Sequence, residues 1–359
     1  MAWGHAKSAR MARFEIRSAG PEDEDPLFEL ARHLNTVNLP NDRGYVRALL
    51  ESSARSFSGE EEDAARRRYV FVLWDTELGR AAGSSSIIGQ LGRRDAPYIY
   101  FDVLKEEKYS RTIDAHFEHT LLRLGFSYSG PTELGGLVVH PDYRRMPERL
   151  GRMISYVRFL FIAARREAFR AELLAELLPP LEPDGGSLLW NALGRRFTRM
   201  TYAEADLLSS QNKDFIHDLF PGTVIYATLF DDAAQSLIGR VGAQTRGVEK
   251  MLRRIGFEYA ERIDPFDGGP HFVARTDDVT LVKQTRRVHY RGAPEGGATG
   301  TALVACEAAA PPHFLAICPE VELGEGGVRL PARAAERLGL SDGQEVLVLP
   351  LRGPTGNGG

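Results

Sequence analysis

The segment that most constrains the fold is residues 134–152, where an apolar run leads into an arginine-rich helix start. Residues 134–139 (Leu-Gly-Gly-Leu-Val-Val) are typical of a buried strand, which Pro141 and Asp142 end. From Gly151 onward, apolar residues recur at helical spacing to about residue 170. This order places strand-end amides beside a helix N-terminus, and such a terminus binds anions. The sequence therefore predicts an anion site at this junction.

Length and composition limit the class of protein. A chain of 359 residues fits about two domains, and 43% hydrophobic with 26% charged residues is ordinary for a soluble globular protein. The net charge is −4 with both signs interspersed, so nucleic acid is not an expected partner. Cys306 and Cys318 form no close pair, which favours a reducing cytoplasm. The absence of an 18-residue apolar run or signal peptide predicts no membrane association.

Strand-like and helix-like segments alternate through residues 14–260 and predict an α/β (α+β) fold, with a mixed sheet flanked by helices. Beyond the Gly- and Pro-rich loop at 291–300, short strands and one helix indicate a small β-barrel-like unit. We expect a main domain at 13–285, a β-rich C-terminal unit at 296–352, and disordered ends at 1–12 and 353–359. Expected strands include 14–17, 69–74, 81–88, 97–103 and 173–178, and expected helices include 26–34, 151–170 and 187–194.

The stretch 134–153 resembles the acyl-CoA site of the acyl-CoA N-acyltransferase fold. The resemblance implies that backbone amides of Leu137, Val138 and Val139 hold the pantetheine arm and polarise the thioester carbonyl. It also implies a pyrophosphate site at the helix N-terminus, formed by Arg144, Arg149, Gly151 and Arg152. Met-Pro-Glu at 146–148 departs from the glycine-rich turn usual in this fold.

From about residue 13 to 350 the chain resembles the arginine N-succinyltransferase family. The strongest match is the string Arg-Ile-Asp-Pro-Phe-Asp-Gly-Gly-Pro at 262–270, and others are at 38–41, 69–73 and 193–197. The resemblance implies transfer of a succinyl group from succinyl-CoA to the α-amine of arginine, in arginine catabolism. Succinyl-CoA is then a co-substrate that contacts Leu137, and we expect no permanently bound cofactor. It further implies a homo-oligomer or a hetero-oligomer with a related subunit.

The resemblance also exposes departures. The family's catalytic histidine corresponds to Gly242, because residues 239–245 read Gly-Arg-Val-Gly-Ala-Gln-Thr where the family has Gly-x-Val-His-Pro-x-Thr. Losing a positioned acid or base costs roughly 10²–10⁴ in rate. Two family arginines are also missing, at 176–179 and 98–101. These changes leave two alternatives open: an acyltransferase of changed amine or acyl specificity, and a weakly catalytic paralogous subunit.

Two histidines are candidates for the missing imidazole. His271 follows the 262–270 string, where the family has a small hydroxyl residue. We hypothesise that it faces the cleft and replaces the family histidine, the alternative being an ordinary buried or surface histidine. His140 follows the strand at 134–139, and its expected role is to help terminate that strand.

Carboxylates complete the candidate site. Glu133 and Glu176 match family carboxylates near the cleft, which implies that they bind substrate; the alternative is capping or pairing with arginines. Asp264 and Asp267 stand among glycines and prolines and are expected to form a turn. No spacing among the nine histidines indicates a metal site, and we predict none.

Overall fold

The computed structural model describes residues 13–32, 39, 41–94, 96–209 and 213–352. The ends expected to be disordered, 1–12 and 353–359, lie outside these residues. The chain forms two compact units that are each discontinuous in sequence. The first is drawn from Met1–Gly89, Leu134–Phe169 and Asp277–Gly359, and the second from Gln90–Glu133 and Arg170–Thr276.

The described strands, in chain order, are β1 (Phe14–Ser18), β2 (Arg68–Asp75), β3 (Arg80–Ile88), β4 (Tyr98–Ser110), β5 (Ala115–Ser127), β6 (Thr132–Val139), β7 (Glu172–Glu176), β8 (Ile225–Tyr226), β9 (Glu258–Ile263), β10 (Pro270–Arg275), β11 (Arg286–His289), β12 (Gly300–Glu307), β13 (Phe314–Ile317), β14 (Glu320–Gly324), β15 (Gly327–Arg329) and β16 (Glu345–Arg352). The described α-helices are α1 (Glu24–Ala31), α2 (Arg43–Ser58), α3 (Leu150–Ala164), α4 (Leu188–Ala192), α5 (Gly194–Thr198), α6 (Tyr202–Ser209), α7 (Asp214–Leu219), α8 (Asp232–Leu237), α9 (Arg246–Arg254), α10 (Thr280–Gln284) and α11 (Ala332–Arg337). Short 3₁₀ turns occupy Pro21–Asp23, Pro141–Tyr143, Arg166–Ala168, Ala227–Leu229 and Thr276–Asp278.

In the first unit the strand order is β11-β16-β12-β13-β1-β2-β3-β6. The helix α2 packs on β2 and α3 packs on β3. Their apolar faces meet an aromatic cluster in which the ring centroids of Phe71, Phe161 and Phe314 lie 5.4–5.5 Å apart. This geometry is typical of edge-to-face aromatic packing.

In the second unit the strand order is β7-β10-β9-β4-β5-β8. Its core surrounds Trp190, which is fully buried and stacks on Phe266 at 5.2 Å. Ser187 caps α4 by accepting a hydrogen bond from the Trp190 amide at 3.0 Å.

The mixed α/β fold predicted from sequence is confirmed. Most ladders are antiparallel, whereas the start of β6 pairs with β7 in parallel. The expected strands are present, but the one expected at 173–178 ends at Glu176. The helix expected at 187–194 is interrupted at Leu193, whose φ of −121° and ψ of −72° separate α4 from α5. The helix expected at 151–170 ends earlier, at Ala164, because Arg165 leaves the helical region with φ −128° and ψ 46°. Of the helix expected at 26–34, residues 33 and 34 lie outside the described part.

The C-terminal strands join the first unit directly, since β13 pairs with β1 through Ile317 opposite Glu15. Alongside this ladder, Val321, Val328 and Leu338 contribute to a separate buried cluster. The compact units therefore follow other limits than 13–285 and 296–352, and those domain bounds stay a prediction. Among the described residues, no helix is long and apolar enough to cross a membrane.

Candidate active site

The strand β6 contains a glycine in a conformation that other residues avoid. Gly136 has φ +56°, and a Cβ there would come within 2.7 Å of the Ser86 Oγ atom. Its carbonyl accepts a hydrogen bond from the Ser84 hydroxyl at 3.3 Å. A left-handed glycine inside a strand breaks the regular pleat and redirects the backbone groups after it. Sequence reasoning overlooked this irregularity, although a Gly-Gly pair inside an apolar strand is its usual signal.

The residues after this irregularity are those predicted to hold the acyl donor. Val138 is buried, while Leu137 and Val139 are half-buried. The exposed Arg144 donates from its Nε atom to the Val139 carbonyl at 3.0 Å and so ties down the last residue of β6. Arg144 therefore orders the strand end in addition to any phosphate contact.

The N-terminus of α3 carries the remaining predicted phosphate ligands. Arg149 occupies the N-cap with a left-handed backbone, and its side chain is exposed. Gly151 follows in the first turn, where a Cβ would meet only the Val139 Cγ2 atom, at 3.6 Å. The first amides of a helix have no intrahelical partner, so this end can receive an anion.

Arg152 has a different environment from Arg149. Its Nη2 atom donates to the Leu351 carbonyl at 3.0 Å, and its guanidinium lies 5.4 Å from the Tyr156 ring centroid. Its predicted contact with phosphate would compete with these interactions. The phosphate role of the whole set stays a prediction.

Arg158 anchors α3 to β6 from inside the first unit. It is 2% exposed, and it donates to the Gly135 carbonyl at 3.3 Å and to the Ser155 hydroxyl at 2.9 Å. Burial lowers the pKa of its guanidinium to about 9. Burial of an arginine that is bonded only to neutral oxygens costs free energy of folding. Here that arginine holds Gly135, the residue directly before the left-handed Gly136.

A second group of side chains lies in the second unit, around the paired residues Glu176 and His271 of β7 and β10. The Nε2 atom of His271 lies 3.4 Å from the Glu176 Oε1 atom. The Nδ1 atom of the same ring is hydrogen-bonded to the Tyr98 hydroxyl at 2.7 Å. His271 is completely buried, which lowers its pKa to about 3 and keeps the ring neutral.

Carboxylates surround this pair. Burial, together with the charges of Glu133 and Asp264, raises the pKa of Glu176 well above its ordinary value. Burial and Asp264 likewise raise the pKa of Asp206 to about 6, while Lys213 partly opposes the shift. Enclosed acids with raised pKa values concentrate at functional sites. Glu133 and Glu176, predicted separately from sequence, are brought into one group.

The nearest approach to a metal-ligand arrangement in the described part of the chain is formed by Glu176, Asp264 and His271, whose donor atoms lie within 4.8 Å of one another. Sequence spacing could not reveal it, because the three residues come from different elements. The ammonium of Lys213 already opposes the negative charge of Glu176 and Asp264. We therefore assign no metal ligands here.

Gly242, where the family histidine was expected, packs tightly on the segment that follows β7. Its N–H donates to the Leu178 carbonyl at 2.8 Å, and the Thr245 hydroxyl donates to the same oxygen at 2.9 Å. A Cβ at position 242 would lie 2.7 Å from the Pro179 carbonyl oxygen. Close approach of two backbones thus requires glycine at this position.

The structural roles expected for the remaining candidates are confirmed. His140 Nδ1 accepts from the Asp142 amide at 3.3 Å and caps the turn that ends β6. Asp264 accepts from the Phe266 amide at 2.7 Å, and Asp267 accepts from the Gly269 amide at 2.7 Å. Both aspartates therefore form turns of the 262–270 string.

Comparisons with known proteins agree over most of the chain. The family model described as "Arginine N-succinyltransferase beta subunit" matches residues 14–281. The arginine N-succinyltransferase of Yersinia pestis (strain Pestoides F) is 31% identical over 353 residues, covering 95% of this chain and 98% of the relative. The arginine N-succinyltransferase subunit beta of Pseudomonas aeruginosa is 33% identical over 276 residues, 76% of this chain and 80% of the relative.

A solved structure gives the same result. The arginine/ornithine succinyltransferase subunit AI from Pseudomonas aeruginosa superimposes with a TM-score of 0.81 at 28% identity, covering 95% of this chain and 99% of that chain. By sequence and by fold, the chain belongs to the arginine N-succinyltransferase family.

Proposed function

We propose that this chain transfers a succinyl group from succinyl-CoA to the α-amine of arginine, giving N2-succinylarginine and CoA. The observation that carries the proposal is the family match over residues 14–281. The relatives that match 76–95% of this chain are named for arginine succinyl transfer. As an acyltransferase the chain needs a site for the thioester and a site for the amine.

The β6–α3 junction supplies the donor side of the proposal. The backbone amides of Leu137, Val138 and Val139 would polarise the thioester carbonyl and stabilise the oxyanion that forms as the amine attacks. The α3 N-terminus would hold the pyrophosphate, with the contributing residues Arg144, Arg149, Gly151 and Arg152.

The carboxylates of the second unit (Glu133, Glu176, Asp206 and Asp264), called the acidic group below, support the amine-acceptor side of the proposal. Arginine carries a guanidinium and an α-ammonium, and both are cations that carboxylates bind. We assign Glu133 and Glu176 to substrate binding. Glu133 is 5% exposed, and it raises the pKa of Glu176. Binding of a cation would relieve the repulsion between these two carboxylates.

We also propose that the enzyme acts in the cytoplasm, as an oligomer with itself or with a related subunit. The two Pseudomonas relatives are named as subunits, which supports assembly. Free cysteines at 306 and 318 agree with a reducing compartment.

A second candidate function is transfer to another amine. One structural relative is named for both arginine and ornithine, and the position of the family histidine is glycine here. The same glycine supports the further alternative of a weakly catalytic subunit. The first alternative includes a changed acyl group as well as a changed amine, and the second keeps the reaction but lowers its rate.

The test measures CoA thiol released from succinyl-CoA by the purified chain. Arginine, ornithine and lysine are compared as acceptors, with acetyl-CoA as the control donor. Release with arginine supports the proposal, and release only with another amine supports the second candidate. No release with any pair contradicts transferase activity of the chain alone.

A further inference from the structure

The contacts between Tyr98, His271 and Glu176 end at a single accessible group. His271 is 0% exposed and Tyr98 is 5% exposed, whereas the Glu176 side chain keeps 30% of its surface. The Tyr98 hydroxyl lies 2.7 Å from the His271 Nδ1 atom, and the His271 Nε2 atom lies 3.4 Å from the Glu176 Oε1 atom. A ligand can therefore meet this row of groups at the Glu176 carboxylate.

The Tyr98 hydroxyl and the His271 Nδ1 atom share a hydrogen bond of 2.7 Å, whose direction is set by the tautomer of the ring. Burial raises the pKa of Tyr98 and lowers that of His271, so both side chains are neutral. When Tyr98 donates to Nδ1, the ring carries its hydrogen on Nε2. That buried atom has no hydrogen-bond partner among the described residues and lies 3.4 Å from the Glu176 Oε1 atom. In this tautomer the imidazole presents an N–H group to the carboxylate without taking a charge.

We propose that Glu176 is the general base that takes a proton from the substrate ammonium, and that His271 and Tyr98 are positioning residues that fix its carboxylate. The inference rests on the proposed function, because it assigns a base to that reaction. It differs from a direct catalytic role of His271, which is completely enclosed.

The ammonium gives one proton to the Glu176 carboxylate, and the free amine forms a bond to the thioester carbonyl carbon. The adduct collapses with cleavage of the C–S bond, and the nitrogen loses its second proton as the amide forms. The departing thiolate takes up that proton and becomes CoA–SH. The net reaction releases one proton to water, when Glu176 ionises again.

Groups from several elements face Glu176 and set its basicity. They are Glu133 of β6, Asp264 and Asp267 of the turn after β9, Lys213 before α7, and His271 of β10. Burial and the three carboxylates raise the pKa of Glu176, and Lys213 opposes them. A carboxylate with a raised pKa is a stronger base once ionised, which suits removal of a proton from an amine.

The position of Gly242 fits this assignment. Its loop packs on Leu178, two residues beyond Glu176 on the same segment. The loop that carries the catalytic histidine in the family therefore meets the segment that directly follows the strand of Glu176. The carboxylate proposed to accept the proton lies two residues before this contact.

The experiment compares Glu176→Gln with the wild type in the thiol-release assay, from pH 5 to pH 10. The matched control is Glu172→Gln, an exposed glutamate on the same strand. We expect kcat to fall about 10²–10⁴-fold in Glu176→Gln with the KM for succinyl-CoA unchanged, and no effect in the control. The loss of kcat in Glu176→Gln relative to the wild type should become smaller as the pH rises, because more of the substrate amine then binds without its extra proton.

Positioning is tested by Tyr98→Phe and His271→Asn. Both should shift the acid limb of the kcat profile and lower kcat about 10-fold, and Glu176→Asp should keep part of the activity. Thermal unfolding of each variant identifies loss of fold. A wild-type rate and pH profile in folded Glu176→Gln overturns the inference while the proposed function stands. No turnover by the wild type overturns both.

Discussion

The Gly242 N–H donates to the Leu178 carbonyl at 2.8 Å, and this contact leaves no room for a side chain at position 242. Gly242→Ala should therefore destabilise the protein by about 1–3 kcal/mol, since its Cβ meets the Pro179 carbonyl oxygen at 2.7 Å. Restoring the family histidine by Gly242→His would meet the same obstacle and should not raise turnover.

Gly247 of α9 offers the matched control for this prediction. A Cβ there meets nothing within 4 Å, so Gly247→Ala should stabilise the helix by up to about 1 kcal/mol. Urea unfolding gives both free energies. Equal effects of the two alanines, or an active Gly242→His variant, would show that the 242 loop can move away from Leu178.

The second prediction concerns the left-handed glycine of β6. Gly136→Ala should strain the backbone at φ +56° and push its Cβ to 2.7 Å from the Ser86 Oγ atom. Because the amides that follow are proposed to hold the thioester, the KM for succinyl-CoA should rise about tenfold or more while the KM for the amine stays. Gly222→Ala, where the space is open, is the control. An unchanged KM for succinyl-CoA would separate Gly136 from donor binding.

The β6–α3 junction could be predicted from sequence, because the apolar strand and the helical spacing of apolar residues that follows it lie in one continuous segment. The β4–β5 hairpin was harder to predict. Its outer half carries Lys105 and Glu107 on one face of β4 and Glu106 and Lys108 on the other, so both faces are polar and the run resembles a loop. The pairing of Glu176 with His271 depends on strand register between segments 95 residues apart, which no local pattern encodes.

The third prediction is a pH dependence of stability. Burial and the charge of Asp264 raise the pKa of Asp206 to about 6, above the ordinary 3.8. The folded state therefore binds the proton more tightly, and stability falls as the pH rises from about 4 to about 6. Asp206→Asn should remove a penalty of about 1–3 kcal/mol above pH 6 and have little effect at pH 4.

Urea unfolding at pH 4 and pH 8 checks this, with the exposed Asp342→Asn as control. A stabilisation that is the same at both pH values would rule out relief of a buried charge. Saturating arginine should also stabilise the wild type more than Asp206→Asn at pH 8, if the acidic group receives the cation.

The last prediction concerns Arg158, whose planar guanidinium serves the Gly135 carbonyl and Ser155 together. Arg158→Lys keeps a buried charge but loses the forked donors, so it should cost about 2–4 kcal/mol. Arg158→Met should cost less, because it removes the charge whose burial lowers the pKa of this group to about 9. The control is Arg165→Lys at the end of the same helix, where the partly exposed pair with Glu307 should contribute about 0–1 kcal/mol. If both lysine variants lose the same stability, the contact with Gly135 does not hold α3 against β6. If Arg158→Lys alone also raises the KM for succinyl-CoA, the contact positions the donor strand as well.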